Sequence, residues 1–274
     1  MGHWTIEEGE LGLEPPVVAV DVRLPAGAVT VAVSDGPPRV IVTDVQGGPV
    51  TVHQEGGTVT IRHPGPEGPD AVDDLIGSVM GALGIGRRAR RQASVTVLLP
   101  DQATVTARTV GAPVMFSGLE EATVDTVTGD IVVSRLHGSL RIATVGGSVQ
   151  AADIGGRLSI TTVSGEVTVA SARLSELRAR TVSGDVTVDA ELLGGGHAFQ
   201  AVSGNLALRL RAPQGFDLDA SSVSGTVVCQ LGDPVDLGRP GRRRVRVAVG
   251  DGGARLRSHT VSGNLTVLSP AGAA

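Results

Sequence analysis

Along this chain a carboxylate or its amide follows a glycine again and again: Asp130, Glu166, Asp185, Asn205 and Asn264 come directly after Gly129, Gly165, Gly184, Gly204 and Gly263. On neighbouring strands, about 4.8 Å apart, Glu166 and Asp185 would be near enough to hold a cation or share a proton. Ser148 and Thr226 occupy the same position, however, and a polar residue after a glycine turn is ordinary turn chemistry. The column also lacks the Gly-Gly-x-Gly-x-Asp nonapeptide of calcium β-rolls. The six histidines (His3, His53, His63, His137, His197, His259) show no His-x-His or His-Glu-x-x-His spacing. His259 is expected to point outward beside Arg257 and Ser221. Ser164, Ser183, Ser203, Ser224 and Ser262 recur as turn residues, and a nucleophile is not needed five times. Neither a Gly-x-Ser-x-Gly elbow nor a P-loop occurs. The expectation is a protein that is not an enzyme, with no catalytic residue, no metal, no cofactor and no small-molecule substrate.

Two basic segments are candidates for contact with other molecules. In residues 70–91, Val72, Leu75, Ile76, Val79, Met80 and Leu83 fall at helical spacing, with Asp70 as N-cap and Gly84 as stop. Arg87, Arg88, Arg90 and Arg91 follow, so the segment suits an anionic membrane surface or a partner groove. Arg239, Arg242, Arg243, Arg244 and Arg246 form the second cluster, a basic insertion that reads as a solvated loop or as a contact for nucleic acid or phosphate. The net charge of −5 argues against a dedicated nucleic-acid binder. All basic residues are arginine, which we read as coding bias.

The elements that carry these residues are set by a repeat. The valine of a recurring Thr-Val-Ser-Gly turn falls at Val110, Val127, Val145, Val163, Val182, Val202, Val223 and Val261, at intervals of 17, 18, 18, 19, 20, 21 and 38. Within one period, Leu158, Ile160 and Thr162 alternate with Arg157, Ser159 and Thr161, the period of a strand with one buried face. The turn then intervenes, and Val167 and Val169 resume the alternation. Two strands this short cannot bury a face alone. Stacking successive periods solves the problem, because identical positions then form ladders. The fold class that follows is all-β: a single-chain β-solenoid, β-helix- or β-roll-like, with turns of about 18–21 residues. Val182, Val186 and Val188 are expected to fill the coil, and Thr109, Thr126, Thr144, Thr162, Thr181, Ser222 and Thr260 to form a hydroxyl ladder. The corner glycines meet either a positive φ or a close approach between turns. Arg244–Gly250 is the expected strand of the turn hidden in the interval of 38.

The remainder divides into a strand-rich N-terminal cap over 1–65, a helical or disordered insertion over 66–92, solenoid repeats over 93–269 and a tail over 270–274. With only Trp4, Phe116, Phe199 and Phe216 as aromatics, the core must be thin and aliphatic. Cys229, the sole cysteine, is expected to be an inert inward thiol. No signal-peptide pattern and no run of 18 apolar residues is present, so the expected location is cytoplasmic, peripheral to the membrane at most.

The repeated T-V-S-G-[D/E/N]-[V/I/L]-x-V unit resembles the DUF4097 family of bacterial β-strand-repeat proteins, whose members carry an adhesin label. The stretches Val22–Val31, V-x-L-P-A-G-x-V-x-V, and Val249–Leu256, V-G-D-G-G-A-R-L, are similar to its actinobacterial members. The resemblance implies a β-solenoid and brings no catalytic residues with it. Three functions are consistent with these features. The first is a non-enzymatic, adhesin-like scaffold that contacts a protein partner or itself. The second is a peripheral membrane or envelope-stress factor acting through residues 70–91. The third is a self-polymerising scaffold of bactofilin type.

Overall fold

The computed structural model describes residues 2–63, 91–100, 103–211, 215–231, 235–238, 243–250 and 253–268. Among these, every regular element is a strand and none is a helix, so no described helix could cross a membrane. The chain forms two compact units, Met1–Val133 and Ser134–Ala274.

In the first unit, parallel strands dominate because alternating Val, Ala and Thr give each strand one apolar face. Ala19–Leu24 lies between Thr58–Arg62 and Thr104–Thr109, parallel to both. The following strand, Gly27–Val33, lies in the same way between Gln92–Leu99 and Val114–Ser117. Val20, Val22, Val29, Val31, Val59, Ile61, Val95 and Val97 are buried in consequence. Antiparallel strands flank this stack. Val50–Glu55 pairs with Thr58–Arg62 and with Gly2–Ile6, while Arg39–Gln46 pairs with Gln92–Leu99 and with Gly9–Gly12. The segment anticipated as an N-terminal cap thus contains both parallel coil strands and antiparallel flanking strands. The 66–92 insertion falls almost wholly outside the described residues; Gln92 already opens a strand.

In the second unit the pitch is visible in the registers: Val149 pairs with Val167, Val167 with Val186, and Val186 with Leu206. The long strands Val149–Thr162 and Val167–Thr181 run through a second bend. There Arg135, Asp153 and Ser171, each eighteen residues from the next, adopt positive φ of 54°, 55° and 55°. The bend is therefore a left-handed kink repeated in place, a conformation uncommon for non-glycine residues.

One expectation fails. Arg243–Gly250 is not a solenoid turn, because it runs antiparallel along Gly215–Ser222. Among the described residues the interval of 38 holds no further coil; the coil that closes it, Ala254–Leu268, carries Val261 itself and does not sit last. Ala254–Thr260 lies between Gly195–Ala201 and Gly215–Ser222, parallel to both. Leu265–Leu268 likewise lies between Leu206–Leu210 and Val227–Cys229. The last described coil is inserted between two that precede it in sequence. A period measured along the chain cannot reveal this, since it counts coils without ordering them.

Candidate functional site

The repeated turn is a corner in which each residue type has one structural task. The threonine points inward: Thr126, Thr144, Thr162, Thr181, Ser222 and Thr260 are buried. Each hydroxyl accepts from the N–H of the glycine three residues on, as in Gly184 N to Thr181 Oγ1 at 2.8 Å and Gly263 N to Thr260 Oγ1 at 2.9 Å. Thr109 Oγ1 also donates to Thr126 Oγ1 at 2.8 Å. The serine satisfies the neighbouring coil, its N–H and hydroxyl both donating to one valine carbonyl. Ser183 does this to Val163 O at 2.8 and 3.1 Å, and Ser203 to Val182 O at 2.8 and 3.2 Å. The recurring serines are therefore backbone donors, consistent with their repetition.

The corner glycines are explained by close approach, since none of them has positive φ. A Cβ on Gly184 would stand 2.1 Å from the Gly165 carbonyl oxygen, and one on Gly263 would stand 1.9 Å from that of Gly204. The valine corrects an expectation. Val182 does not fill the coil: it is 46% exposed, as its column mates Val163, Val202, Val223 and Val261 are at 41–48%. The corner leaves two successive residues outside before the buried glycine, so Val186 and Val188 are interior and Val182 is not.

The column after the glycine is a directed chain of side-chain bonds. Thr226 N and Oγ1 donate to Asn264 Oδ1 at 2.9 and 2.8 Å. Asn264 N and Nδ2 donate to Asn205 Oδ1 at 3.3 and 3.0 Å, and Asn205 N and Nδ2 to Asp185 Oδ1 at 2.8 and 3.0 Å. An amide is required in the middle, where a residue must both accept and donate, and a carboxylate suits the end that only accepts. The ladder thus accounts for Asp185 without a cation. Among the described residues, no group of three or more His, Cys, Asp or Glu is placed to hold a metal.

The histidines separate. His197 and His63 are buried, bonded through Nε2 to Gly194 O at 3.3 Å and Gly48 O at 2.9 Å, with each Nδ1 left unpartnered. Desolvation lowers both pKa values, and the carbonyl bond opposes it in each. His3 and His53 face each other across antiparallel strands with ring centroids 6.0 Å apart. His259 is outward, with Nδ1 2.9 Å from Ser221 Oγ. Cys229 is half-buried; burial raises its pKa, and its thiol donates to Leu231 O at 3.3 Å.

Of the expected contact residues, Leu75, Ile76, Val79, Met80, Arg87, Arg88, Arg90, Arg239 and Arg242 lie outside the described residues, while Arg91 is half-buried. Arg243 is exposed. Arg244 grips both oxygens of Asp219, Nε to Oδ1 at 2.9 Å and Nη2 to Oδ2 at 2.7 Å, and Arg246 reaches the same carboxylate at 3.3 Å. Asp219 is held below the usual carboxylate range by the Arg244 bond, partly opposed by desolvation. Two open grooves flank this point. One, of about 460 Å³, takes in Gln200, Ser221, His259 and Arg257. The other, of about 640 Å³, takes in Asp217, Arg246, Arg255 and Arg257. Sequence spacing missed this grouping, because it depends on the inserted coil that sets His259 between Gln200 and Ser221.

A family model described as Toastrack DUF4097 matches residues 41–268. A candidate lipid-binding protein from Parabacteroides distasonis ATCC 8503 is 13% identical, with 97% of this chain and 96% of that chain covered at a TM-score of 0.51. A candidate adhesin from the same organism is 11% identical, with 97% of each chain covered at 0.44. A candidate cell adhesion protein from Clostridium sporogenes ATCC 15579 is 9% identical, with 96% of this chain and 99% of that chain covered at 0.35. No curated protein matches the chain.

Proposed function

The chain belongs to the DUF4097 Toastrack family, and from that premise we propose that it is a non-enzymatic, adhesin-like β-solenoid scaffold that binds another macromolecule through its outward strand faces. The observation that carries this reading is the commitment of the repeated polar residues. The threonines hold glycine N–H groups, the serines hold valine carbonyls, and Asp185, Asn205 and Asn264 hold one another. The threonine column thus closes each corner, and the serine and post-glycine columns hold coil to coil. The varied outward residues between them are the ones left to meet a partner. The sole Ser–His contact described, Ser221 with His259, approaches through Nδ1 and lacks an acid to orient the ring. A Ser–His–Asp relay needs that third group. The proposed location remains the cytoplasm.

Incubation with ester, phosphoester and glycoside substrates is expected to give no turnover above buffer. Turnover that disappears in Ser221→Ala or His259→Ala would sink the scaffold reading.

A further inference from the structure

The registers of the second unit place three outward rows of residues side by side across one sheet face. One row includes Arg180, Gln200, His259, Ser221 and Arg244; the next includes Arg178, Ala198, Arg257, Asp219 and Arg246. The third brings in Arg157, Glu176, Arg255 and Asp217. Seven arginines thus face three carboxylates, a local excess of four positive charges in a chain whose net charge is −5. Asp219 is shared by Arg244 and Arg246, Glu176 is taken by Arg178 at 2.6 Å, and Asp217 stands 4.0 Å from Arg255. Arg180 bonds the neutral Gln200 alone among the described residues, at 3.1 Å. Among the described residues, Arg157 and Arg257 meet no carboxylate. Arg257 stands where the two grooves meet, since both are lined by Arg257 and Asp219. Its neighbour on one side, Ala198, is too small to cover it.

Concavities of about 300–1,000 Å³ suit discrete polar units of small-molecule size. A guanidinium fork matches a carboxylate in geometry as well as charge, and Arg244 already makes that bidentate contact with Asp219 on this face. Gln200, Ser221 and His259 add groups able to bond hydroxyls. The two phenylalanines of these strands, Phe199 and Phe216, are buried, so the described rows offer the single imidazole of His259 and no run of outward rings for successive bases to stack on. Apart from Val235 and Leu237 at the edge beside Arg246 and Arg244, 56% and 46% exposed, the described outward positions of the three rows carry no apolar side chain larger than alanine, a small apolar surface for entering a bilayer beside seven arginines.

We propose that this face binds a carboxylate-bearing polysaccharide, with Arg257 as the central anion contact and the two grooves as adjoining sugar subsites. The proposal rests on the scaffold reading and names the chemical class of its partner.

The test is binding of the full chain to immobilised polygalacturonate, with neutral dextran, dextran sulfate, single- and double-stranded DNA and phosphatidylglycerol vesicles as parallel probes. Polygalacturonate is expected to bind in preference to all the others, and to weaken as salt is raised. Arg257→Ala should lose at least tenfold in affinity, and Arg257→Lys should lose part of it, keeping the charge without the fork. Arg209→Ala, outside these rows, should bind as the parent does. Circular dichroism melts of each variant separate lost binding from lost folding. The proposal is overturned by absent polygalacturonate binding, by equal or tighter binding of dextran sulfate, DNA or vesicles, or by full affinity in folded Arg257→Ala. Failure of binding leaves the scaffold reading standing. New reducing ends in the polygalacturonate would instead refute the non-catalytic reading and leave the site in place.

Discussion

The threonine column has one gap, and filling it should stabilise the protein. Ala201 pairs with Thr181 on one side and Thr260 on the other, so it stands where a hydroxyl is expected. Thr181 and Thr260 serve Gly184 N and Gly263 N at 2.8 and 2.9 Å, but the residue that would serve Gly204 N is an alanine. A cavity of about 10 Å³ lies at this point, lined by Ala201, Thr181, Thr260, Phe199 and Leu206 among others. Such a volume is close to one probe sphere, so the added atoms of a threonine fit only with slight adjustment. The new hydrogen bond should contribute about 1 kcal/mol and the buried methyl up to about 0.8 kcal/mol. Against these stand side-chain ordering and some crowding, on the order of 1 kcal/mol together. Ala201→Thr is therefore expected to gain about 1 kcal/mol, or roughly 2–4 °C in Tm for a domain of this size. Differential scanning calorimetry of Ala201→Thr, Ala201→Val and Ala201→Ser separates the two contributions, because valine has the shape of threonine without the hydroxyl. Threonine and serine should both melt above valine. If valine equals or exceeds threonine, the hydroxyl column is not a stabilising device and the reasoning fails.

Three further outcomes can be checked on the same instruments. Gly184→Ala drives a Cβ to 2.1 Å from the Gly165 carbonyl oxygen, and should cost about 1–3 kcal/mol; an unchanged Tm would refute close approach as the reason for the glycine. Asn205→Asp removes the donor to Asp185 and sets two carboxylates together, so it should destabilise by about 1–2 kcal/mol at neutral pH, with part of the loss recovered on acidification. Asp185→Asn, which keeps the acceptor, should cost less, and the reverse order would refute the directed ladder. His63 and His197 have folded pKa values below 6.5, so below pH 6.5 the unfolded chain binds more protons and stability falls with pH. A second acid limb should begin below about pH 3.8, where Asp189 and Asp219, both lowered by arginine bonds, are protonated first in the unfolded state. Denaturant midpoints from pH 8 to pH 3 should show both limbs, the first reduced in His197→Gln; a midpoint constant between pH 6.5 and pH 4.5 would contradict buried neutral histidines.

The strand-and-corner unit was legible because repetition leaves few solutions. Residues that recur every eighteen or so positions must stack, and stacking dictates inward threonine, buried glycine and bonded hydroxyls. Two things escaped. Val182 reads as inward alongside Val186 and Val188, yet the corner exposes two residues in succession and turns it out. The face around Arg257 escaped because it joins residues from Arg157 to Arg257 through a coil order that is not the chain order. Periodicity records how far apart coils are in sequence and is silent on which one lies between which.

That inserted coil has a consequence for how the protein is made. The ribosome releases Ala254–Leu268 after Gly215–Cys229, yet among the described strands Gly215–Cys229 does not pair directly with Gly195–Leu210 and reaches it through the later coil. Throughout synthesis, the edge at Gly195–Ala201 must wait, unpaired, for strands not yet translated. Such long-range pairing folds late and leaves an open edge at risk of wrong partners. A premature stop a few residues before Ala254 would therefore deprive the unit of its middle, not of its end.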